Sequence, residues 1–549
     1  MSTDQWNVQE RAAQISHDLV SWNSEGGLQG EADFAMRLRD YLLEIPYFRE
    51  NPDDITIYPA YGQPQTYNLL ALVRGTGKRT LGMAGHYDTV SIQNYHELAH
   101  LACDPVPLRE ALIADLASRS LSEQEARALA DFQGGDFVPG RGMLDMKSGL
   151  AAGIALIEHF STLEGREGNL LFMTTPDEER ESRGMRALRE DLPGYLAARG
   201  LELDAAINLD ATSDQGDGAL GRAVYEGTIG KLLPFAYVIG QSSHVSYPFE
   251  GISAQLIGAE ILRGIEGNTN LADAGGGDVA PPPICLEARD TRNVYEVTTP
   301  ERFWLSFNWL FQSGTAEDRF TQFRAEVEAA LTRATEAFRK NAAAYGALIQ
   351  ASPGASTGAA RVITLAELRA TALADAAAEK AFADCEASLA GIDNPLELSR
   401  RLTEWLANAA LLKGPCVVIG FAGLHYPPSR LDPADPRAAD LLAAIEKAEA
   451  WAVAAEQPHC RRPYFQGISD MSFLGQPKKK GADVVAQNTP AARLVDEPSA
   501  EALGFPTVNI GPWGREFHQR LERVHGPYAF GILPKVLKEI AIAFLAPKA

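Results

Sequence analysis

The chain has 549 residues, more than a single hydrophobic core usually spans, so two or more domains are expected. Hydrophobic residues make up 46% and charged residues 22%, which is typical of a soluble globular protein, and no apolar run reaches the roughly 18 residues of a membrane span. The net charge of −22 disfavours nucleic acid or an anionic membrane as a binding partner. Five scattered cysteines and an N-terminus without an apolar stretch predict a reduced, cytoplasmic protein that lacks a signal peptide.

Two amphipathic helices are predicted first, over residues 8–22 and 31–45, because apolar residues recur there at helical spacing. Three short apolar runs between residues 55 and 90 predict strands, and a polar helical insertion follows at 91–137, with its helical part at 107–132. A Gly-rich turn then leads into an apolar helix, and two further strands end in acidic residues. Strands that alternate with helices imply an α/β domain with a mostly parallel sheet.

The sequence pattern changes near residue 214. From there, helices and strands in a different order predict an α+β unit over 214–428, which includes an Ala-rich helical extension at 364–412. After this unit, short apolar runs that predict strands return, as in the first part of the chain. We therefore predict a catalytic domain built from residues 1–213 and 429–549, interrupted by an inserted lid.

Ionisable residues follow several of the apolar runs. Ligands of parallel sheets bind outside the carboxyl ends of the strands, so these side chains should meet in one cleft. Many carboxylates in one cleft would repel each other strongly without cations. Two divalent ions that share a carboxylate would relieve this repulsion, and a mixed set of His and carboxylate suits zinc, with manganese or cobalt as alternatives. The residues are His86, Asp88, Asp145, Asp177, Glu178, Glu179 and Asp210.

Two local spacings suggest roles for some of these residues. His86 and Asp88 point to the same side of an extended strand, so the Asp88 carboxylate could accept the second ring N–H of the imidazole and fix its tautomer. Glu178 and Glu179 are adjacent and point in different directions. One of them can bind metal while the other acts as a general base toward water.

The motifs GHYDTV, GRGMLDMKSG, TPDEERES and INLDATSD resemble, in the same order, those of the dinuclear zinc aminoacylase/carboxypeptidase family. That family includes acetylornithine deacetylase, succinyl-diaminopimelate desuccinylase, aminoacylase and glutamate carboxypeptidase. The segment GPWGREFHQRLERV resembles the last His motif of the family. The chain length, the insertion 91–137 and the GPWG segment look most like the branch of the arginine-utilisation protein RocB. The resemblance implies a phosphorylase/hydrolase-like metallopeptidase domain with an inserted α+β lid that dimerises.

The same resemblance implies a set of metal ligands. His86 and Asp210 would bind one ion, and Glu179 and His518 would bind the other. Asp145 would bridge the two ions. The cofactors would be two divalent metal ions, most often zinc, with manganese or cobalt possible.

The resemblance also implies how the reaction proceeds. Glu178 would be the general base, and Asp88 would orient His86. In the lid, His244 would reach the active site of a partner subunit and stabilise the oxyanion, so a homodimer would form part of the mechanism. The substrate would be a small amide, either an N-acyl amino acid as for a deacetylase or a short peptide, cleaved through a metal-activated water.

One part of the lid departs from the family pattern. Many relatives carry an Asn before a Pro and then an Arg at a strand end, and these residues help to bind a substrate carboxylate. Here Thr299 precedes the Pro, and Asn308 lies near the place where the Arg is expected. Arg292 is a possible substitute, and the choice between Arg292 and Asn308 stays open, as does the identity of the substrate.

A rival metal motif lies inside the insertion. The segment HELAH fits H-E-x-x-H, so His96 and His100 on one helical face could hold a single zinc ion in a different class of peptidase. The continuation LACDPVPL lacks the extension that brings a third ligand, and Pro105 would cut the helix short. We expect a short amphipathic turn at this place instead.

A second alternative is a catalytically silent member of the same fold that binds or regulates. The presence of Glu178 argues against it, because a silent protein has no physical need for a free carboxylate beside a metal ligand. Two further residues have open roles. Asp470 either lines the cleft or caps a turn, and His525, near His518, is expected to be structural.

Overall fold

The structure is a computed structural model that describes residues 6–292, 294–354 and 358–547. The chain divides into two compact units. The first unit consists of residues 1–228, 429–477 and 498–549, and the second of residues 229–428 and 478–497. The sequence pattern predicted that the second unit begins at residue 214, whereas it begins at Ile229. It also includes the short stretch 478–497 from the C-terminal part of the chain. Residues just before Ile229 pair instead with strands of the first unit.

An eight-stranded sheet forms the centre of the first unit. The strands Asn169–Thr175, Arg79–His86, Glu202–Asn208 and Thr507–Asn509 are neighbours and run parallel to each other. This confirms the predicted α/β class with a mostly parallel main sheet. In spatial order the strands are Ile55–Pro59, Tyr67–Val73, Asn169–Thr175, Arg79–His86, Glu202–Asn208, Thr507–Asn509, Ala223–Tyr225 and Cys460–Arg462.

Two smaller sheets complete the strands of this unit. One contains, in order, Phe137–Pro139, Arg523–His525, Trp513–Arg515 and Thr212–Ser213, and the other pairs Ser429–Arg430 with Gly227–Thr228. The α-helices of the unit are Val8–Ser21, Gln29–Leu42, Pro46–Glu50, Pro105–Ala117, Glu123–Gly134, Ser148–Thr162, Arg183–Arg199, Pro436–Ala454 and Leu533–Leu545. Short 3₁₀ or π turns lie at Pro52–Asp54, Gln93–Leu101, Met143–Lys147, Asp470–Ser472 and Pro527–Ile532.

The helix Ser148–Thr162 follows Asp145 and is buried over most of its surface. Gly149, the second residue of this helix, explains the close packing, because a Cβ placed on it would lie 2.1 Å from the carbonyl oxygen of Leu209. Only glycine allows this approach. The close packing brings the turn that carries Asp145 next to the segment that carries Asp210.

The insertion differs from the single helical stretch predicted at 107–132. It contains two helices, Pro105–Ala117 and Glu123–Gly134. The break has a local cause, because Ser122 and Glu125 form a capping box in which each side chain accepts a hydrogen bond from the backbone N–H of the other residue. The second helix therefore starts at a fixed residue rather than continuing the first.

The second unit is built on a six-stranded sheet with helices. The order Gly230–Leu232, Arg302–Phe311, Pro234–Ile239, Cys416–Phe421, Arg361–Thr364 describes five strands, and Ile284–Asp290 also pairs with Arg302–Phe311. Its α-helices are Ala254–Ile265, Ala316–Ile349, Leu365–Ala372, Ala376–Ser388, Pro395–Ala409 and Ala482–Gln487, and its 3₁₀ turns are Thr269–Leu271, Gly275–Gly277 and Ala492–Leu494. Across the residues that the structure describes, no helix is both long enough and apolar enough to cross a membrane.

The core of the second unit contains a histidine whose ionisation should affect stability. Burial lowers the pKa of His425 from 6.5 to about 4, although Asp496 opposes the shift, and its ring stacks on Phe311. Between these two pKa values the unfolded chain binds more protons than the folded chain. We therefore expect the free energy of unfolding to fall by about 3 kcal/mol as the pH drops from 7 to 4.

Urea unfolding at pH 7 and at pH 4, followed by circular dichroism, measures this loss. The variant His425→Leu has no group that titrates at this position, so its loss between the two pH values should be smaller than that of the wild type by about 3 kcal/mol. Equal losses in the two proteins would show that the imidazole does not contribute.

Candidate metal centre

Three neighbouring parallel strands deliver four residues of the candidate centre, which lies entirely in the first unit, and Asp145 and His518 come from other segments. His86 is the last residue of its strand and is in register with Thr175, the last residue of the next strand. Glu178 and Glu179 follow Thr175 after a short turn, and Asp210 follows the third strand. Because the strands are parallel, their carboxyl ends lie at one edge of the sheet, where ligands of such sheets bind.

Two overlapping groups of side chains lie close enough to hold metal ions. Ligand atoms of His86, Asp145 and Asp210 lie within 4.8 Å of one another, and so do those of Asp145, Glu179 and His518. Asp145 belongs to both groups. Its Oδ1 lies 3.2 Å from His86 Nε2, and its Oδ2 lies 3.0 Å from His518 Nε2. The structure thus brings together the five residues that the sequence resemblance implied as ligands, with Asp145 between the two sets.

Asp88 contacts more than the single partner expected from the sequence. The backbone carbonyl of Asp88 lies 3.0 Å from His86 Nδ1, whereas its carboxylate Oδ1 lies 3.4 Å from the same nitrogen. The carboxylate accepts hydrogen bonds from the backbone N–H groups of Glu178, at 3.1 Å, and Glu179, at 3.2 Å. Asp88 therefore orients the imidazole mainly through its carbonyl and fixes the backbone of the two glutamates through its side chain.

Glu178 belongs to neither group, although it precedes Glu179 in the chain and lies close to His86. Its Oε2 is 3.9 Å from His86 Nε2. Burial raises the pKa of Glu178 well above its ordinary value, His86 opposes this, and the Asp210 carboxylate adds to it. A buried carboxylate with a raised pKa next to candidate ligands has the properties of a group that accepts and returns a proton.

The pKa shifts in the centre show that its carboxylates have too few positively charged partners. Burial would lower the pKa of His518, but Asp145 and Glu179 raise it to about 11, and burial raises the pKa of Glu179 to about 7. Burial would also raise the pKa of Asp145, yet hydrogen bonds from His518 and His86 lower it. In this arrangement the positive charge of the protonated imidazoles compensates the negative charge of the carboxylates.

This residue set fits two divalent cations. The buried oxygen Glu179 Oε1 has no hydrogen-bond donor among the described residues, which leaves a carboxylate oxygen available beside His518. Mixed nitrogen and oxygen donors suit zinc, manganese or cobalt, and bound cations would replace the protons on the imidazoles.

Two residues that the sequence did not point to support the centre. Ser469 Oγ lies 3.3 Å from Asp210 Oδ2, and Asn509 Oδ1 accepts a hydrogen bond from the backbone N–H of Asp210.

Asp470 is 1% exposed, and its Oδ2 accepts a hydrogen bond from Thr175 Oγ1. Ser469, rather than Asp470, caps the turn, so the turn-capping interpretation of Asp470 is wrong.

The structure separates His525 from the candidate ligands. Its ring stacks on Trp513 with the centroids 4.6 Å apart, and burial lowers its pKa to about 4. It is in neither candidate group among the described residues, in contrast to His518. A packed, neutral ring is the structural role that the sequence suggested.

The H-E-x-x-H alternative lacks the helix that it needs. Gln93–Leu101 is a 3₁₀ segment, and His96 has a left-handed backbone with φ 52°, so the two imidazoles do not share a helical face. Glu97 pairs with Arg520 at 2.9 Å, and neither His96 nor His100 belongs to a candidate metal group in the described chain. The mononuclear hypothesis is therefore wrong.

The remaining predicted residues lie in the second unit. His244 is exposed, and its Nδ1 accepts a hydrogen bond from the backbone N–H of Ser246. Arg292 is paired with Asp290 at 2.5 Å. Asn308 lies on the strand Arg302–Phe311, in register with Ile284.

Comparison with known proteins gives three similarities. The sequence profile of peptidase family M20/M25/M40 matches residues 121–491. Two proteins of Bacillus subtilis strain 168 match nearly the whole chain: the uncharacterized protein YqjN is 30% identical over 98% of this chain and 97% of its own, and protein RocB is 29% identical over 98% and 96%. Among solved structures, a tripeptidase from Staphylococcus aureus is similar in fold, with a TM-score of 0.52 and 15% identity over 98% of both chains.

Proposed function

The chain belongs to peptidase family M20/M25/M40, and we propose that it hydrolyses an amide bond in a small N-acyl amino acid or short peptide with the help of two bound divalent ions. One observation carries this proposal. Two groups of potential ligands share Asp145, and Glu178, which belongs to neither, lies 3.9 Å from His86 of one group and precedes Glu179 of the other in the chain. This is the residue arrangement that metal-assisted hydrolysis with a separate general base requires.

The proposed ligands are those that the geometry groups together. His86 and Asp210 would hold one ion, Glu179 and His518 the other, and Asp145 both. Zinc suits these donors best, with manganese or cobalt as alternatives. When bound, divalent ions supply Lewis acidity, which polarises a carbonyl group and lowers the pKa of water.

The protein's own residues would carry the proton. Glu178 takes a proton from the attacking water and returns it to the amine that leaves. Burial, which raises the pKa of Glu178, favours this return because it stabilises the protonated carboxyl. Asp88 keeps Glu178 in place by accepting the hydrogen bond of its backbone N–H, at 3.1 Å.

A homodimer is part of the proposal. The edge strand Ile284–Asp290 exposes Ile284 and Leu286, and Tyr295 nearby in the chain is 92% exposed. An edge strand with exposed apolar side chains is a surface that another chain can cover. We assign this role to a second copy, whose His244 would stabilise the oxyanion of the reaction.

The cell compartment and pathway are also proposals. All five cysteines are free thiols, which agrees with a cytoplasmic protein. By analogy with the RocB branch, to which the chain is similar along nearly its whole length, we propose a role in arginine utilisation.

A panel of N-acetyl and N-succinyl amino acids, dipeptides and tripeptides tests the proposal. The protein is stripped with a chelator, reloaded with zinc or manganese, and assayed for release of free amines. We expect turnover of at least one class, and only in the reloaded protein. Binding of panel members without turnover under any metal would instead favour the silent binding protein of the same fold.

A further inference from the structure

The insertion at residues 91–137 packs against the segment that carries His518. We call residues 513–525 the His518 hairpin; it consists of two antiparallel strands and the residues that join them. The strand Phe137–Pro139, where the insertion ends, pairs with the second strand of the hairpin. The insertion is therefore joined to one of the proposed ligand segments rather than being a separate appendage.

Ion pairs join the insertion to the hairpin at several points. Arg520 contacts Glu97 and Asp115 of the insertion, each at 2.9 Å. Arg523, which is fully buried, contacts Asp131 of the insertion at 2.7 Å. The arginines come from the hairpin and the acids from the insertion, so the two segments are complementary in charge.

The hairpin also contributes to the apolar core of the insertion. Leu521 is 9% exposed and is the one hairpin residue in that cluster of buried side chains. The other members all come from the insertion: Tyr95, Ala102, Leu108, Leu112, Leu116, Ala128 and Phe132. Because side chains in a core pack closely, Leu521 fixes the position of the residues that join the two strands of the hairpin relative to the insertion.

One residue of the insertion contacts the His518 backbone directly. The side-chain amide of Asn94 donates a hydrogen bond to the carbonyl of His518 at 2.8 Å. Arg141 Nη2 in turn donates to Asn94 Oδ1 at 2.8 Å, and Arg141 also forms a buried pair with Glu522. The backbone N–H of Gly142, at the start of the turn that carries Asp145, donates to Glu522 at 3.0 Å.

The hairpin backbone needs such support. Glu516 and His518 both adopt left-handed conformations, with φ 59° and 64°, which are unfavourable for residues other than glycine. A conformation of this kind persists only where the surroundings hold it. At His518 itself, the Asn94 amide donates a hydrogen bond to the carbonyl at 2.8 Å, and Arg141 Nη2 donates a longer one at 3.4 Å.

We propose that Asn94 is a positioning residue through which the insertion holds His518 against Asp145 and Glu179, at 3.0 Å from each. This inference deepens the proposed function. It rests on that function for the identity of the ion that His518 would bind. The ligand is a divalent metal ion, which Asp145, Glu179 and His518 would hold. Loss of a residue that orients a metal ligand weakens metal binding by about 10- to 100-fold.

Four full-length proteins test the proposal: wild type, Asn94→Ala, Asn94→Asp and His100→Ala. The variant Asn94→Asp keeps the size and the acceptor for Arg141 but loses the donor to His518. His100 is exposed, contacts Glu97 within the insertion and serves as the matched control. Zinc titration by calorimetry measures both ions. We expect both Asn94 variants to bind one ion about 10-fold or more weakly and the other as in wild type, and His100→Ala to match wild type.

Amide hydrogen exchange of residues 516–522 in the metal-free proteins gives a second readout. We expect exchange in both Asn94 variants to be about fivefold faster than in wild type and His100→Ala. Unchanged exchange and zinc affinity in the Asn94 variants would overturn the proposal, and so would wild-type behaviour of Asn94→Asp alone, because the contact with Arg141 would then suffice. If wild type binds no second ion, the proposed function fails, while the exchange rates still decide the positioning role.

Discussion

Replacing Glu178 by Gln is expected to lower kcat by about 10²- to 10⁴-fold while metal content and fold stay unchanged. The reason is geometric, since Glu178 lies outside both ligand groups but 3.9 Å from His86 Nε2. An amide of the same shape keeps the packing but accepts no proton. The measurement is steady-state kinetics on the best substrate of the panel, together with elemental analysis of the purified variant.

The isosteric change Glu181→Gln, in the same turn, is the control for Glu178→Gln. It should leave kcat within a few-fold of wild type because Glu181 pairs with Arg183 and is not in a ligand group. Nearly full activity in Glu178→Gln would remove Glu178 as the general base. A loss of metal in the same variant would instead make it a ligand.

The second large effect concerns the buried pair of Arg141 and Glu522, both about 1% exposed. Replacing Glu522 by Leu leaves the guanidinium of Arg141 buried without its counter-charge. We expect the free energy of unfolding to fall by about 3–5 kcal/mol. Urea unfolding followed by circular dichroism measures this loss.

Two controls separate the buried charge from other causes. Adding Arg141→Met to Glu522→Leu removes the unpaired charge and should restore a large part of the stability. Breaking the exposed pair of Arg324 and Glu328 by Glu328→Gln should cost less than about 1 kcal/mol. Equal losses in the single and double variants at Glu522 would contradict the account, because the charge would then not be the cause.

The positions of some residues of the candidate centre follow from the strands that the sequence predicts. His86 and Asp210 each follow an apolar run, and parallel strands bring such positions to one edge. The prediction of neighbouring ligands therefore needed only the strand assignments and the motif order. Their roles as metal ligands stay predictions until metal is measured.

Other features depend on contacts between distant parts of the chain. The hydrogen bond from Asn94 to His518 joins residues 424 positions apart, and no local pattern marks it. The acceptor of His86 Nδ1 turned out to be mainly a backbone carbonyl, which a side-chain pattern does not encode. The strand Arg361–Thr364, next to the helical extension, was missed because it is only four residues long and its pairing partner Cys416–Phe421 lies far along the chain.

The metal content of the purified protein tests whether the candidate centre holds two ions. Wild type, His86→Ala, His518→Ala and His96→Ala are purified without chelator, dialysed against zinc and analysed for bound metal per chain. We expect about two ions in wild type and in His96→Ala, and fewer in His86→Ala and in His518→Ala. Unchanged metal content in both His86→Ala and His518→Ala, or no metal in wild type even after zinc is supplied, would contradict this expectation.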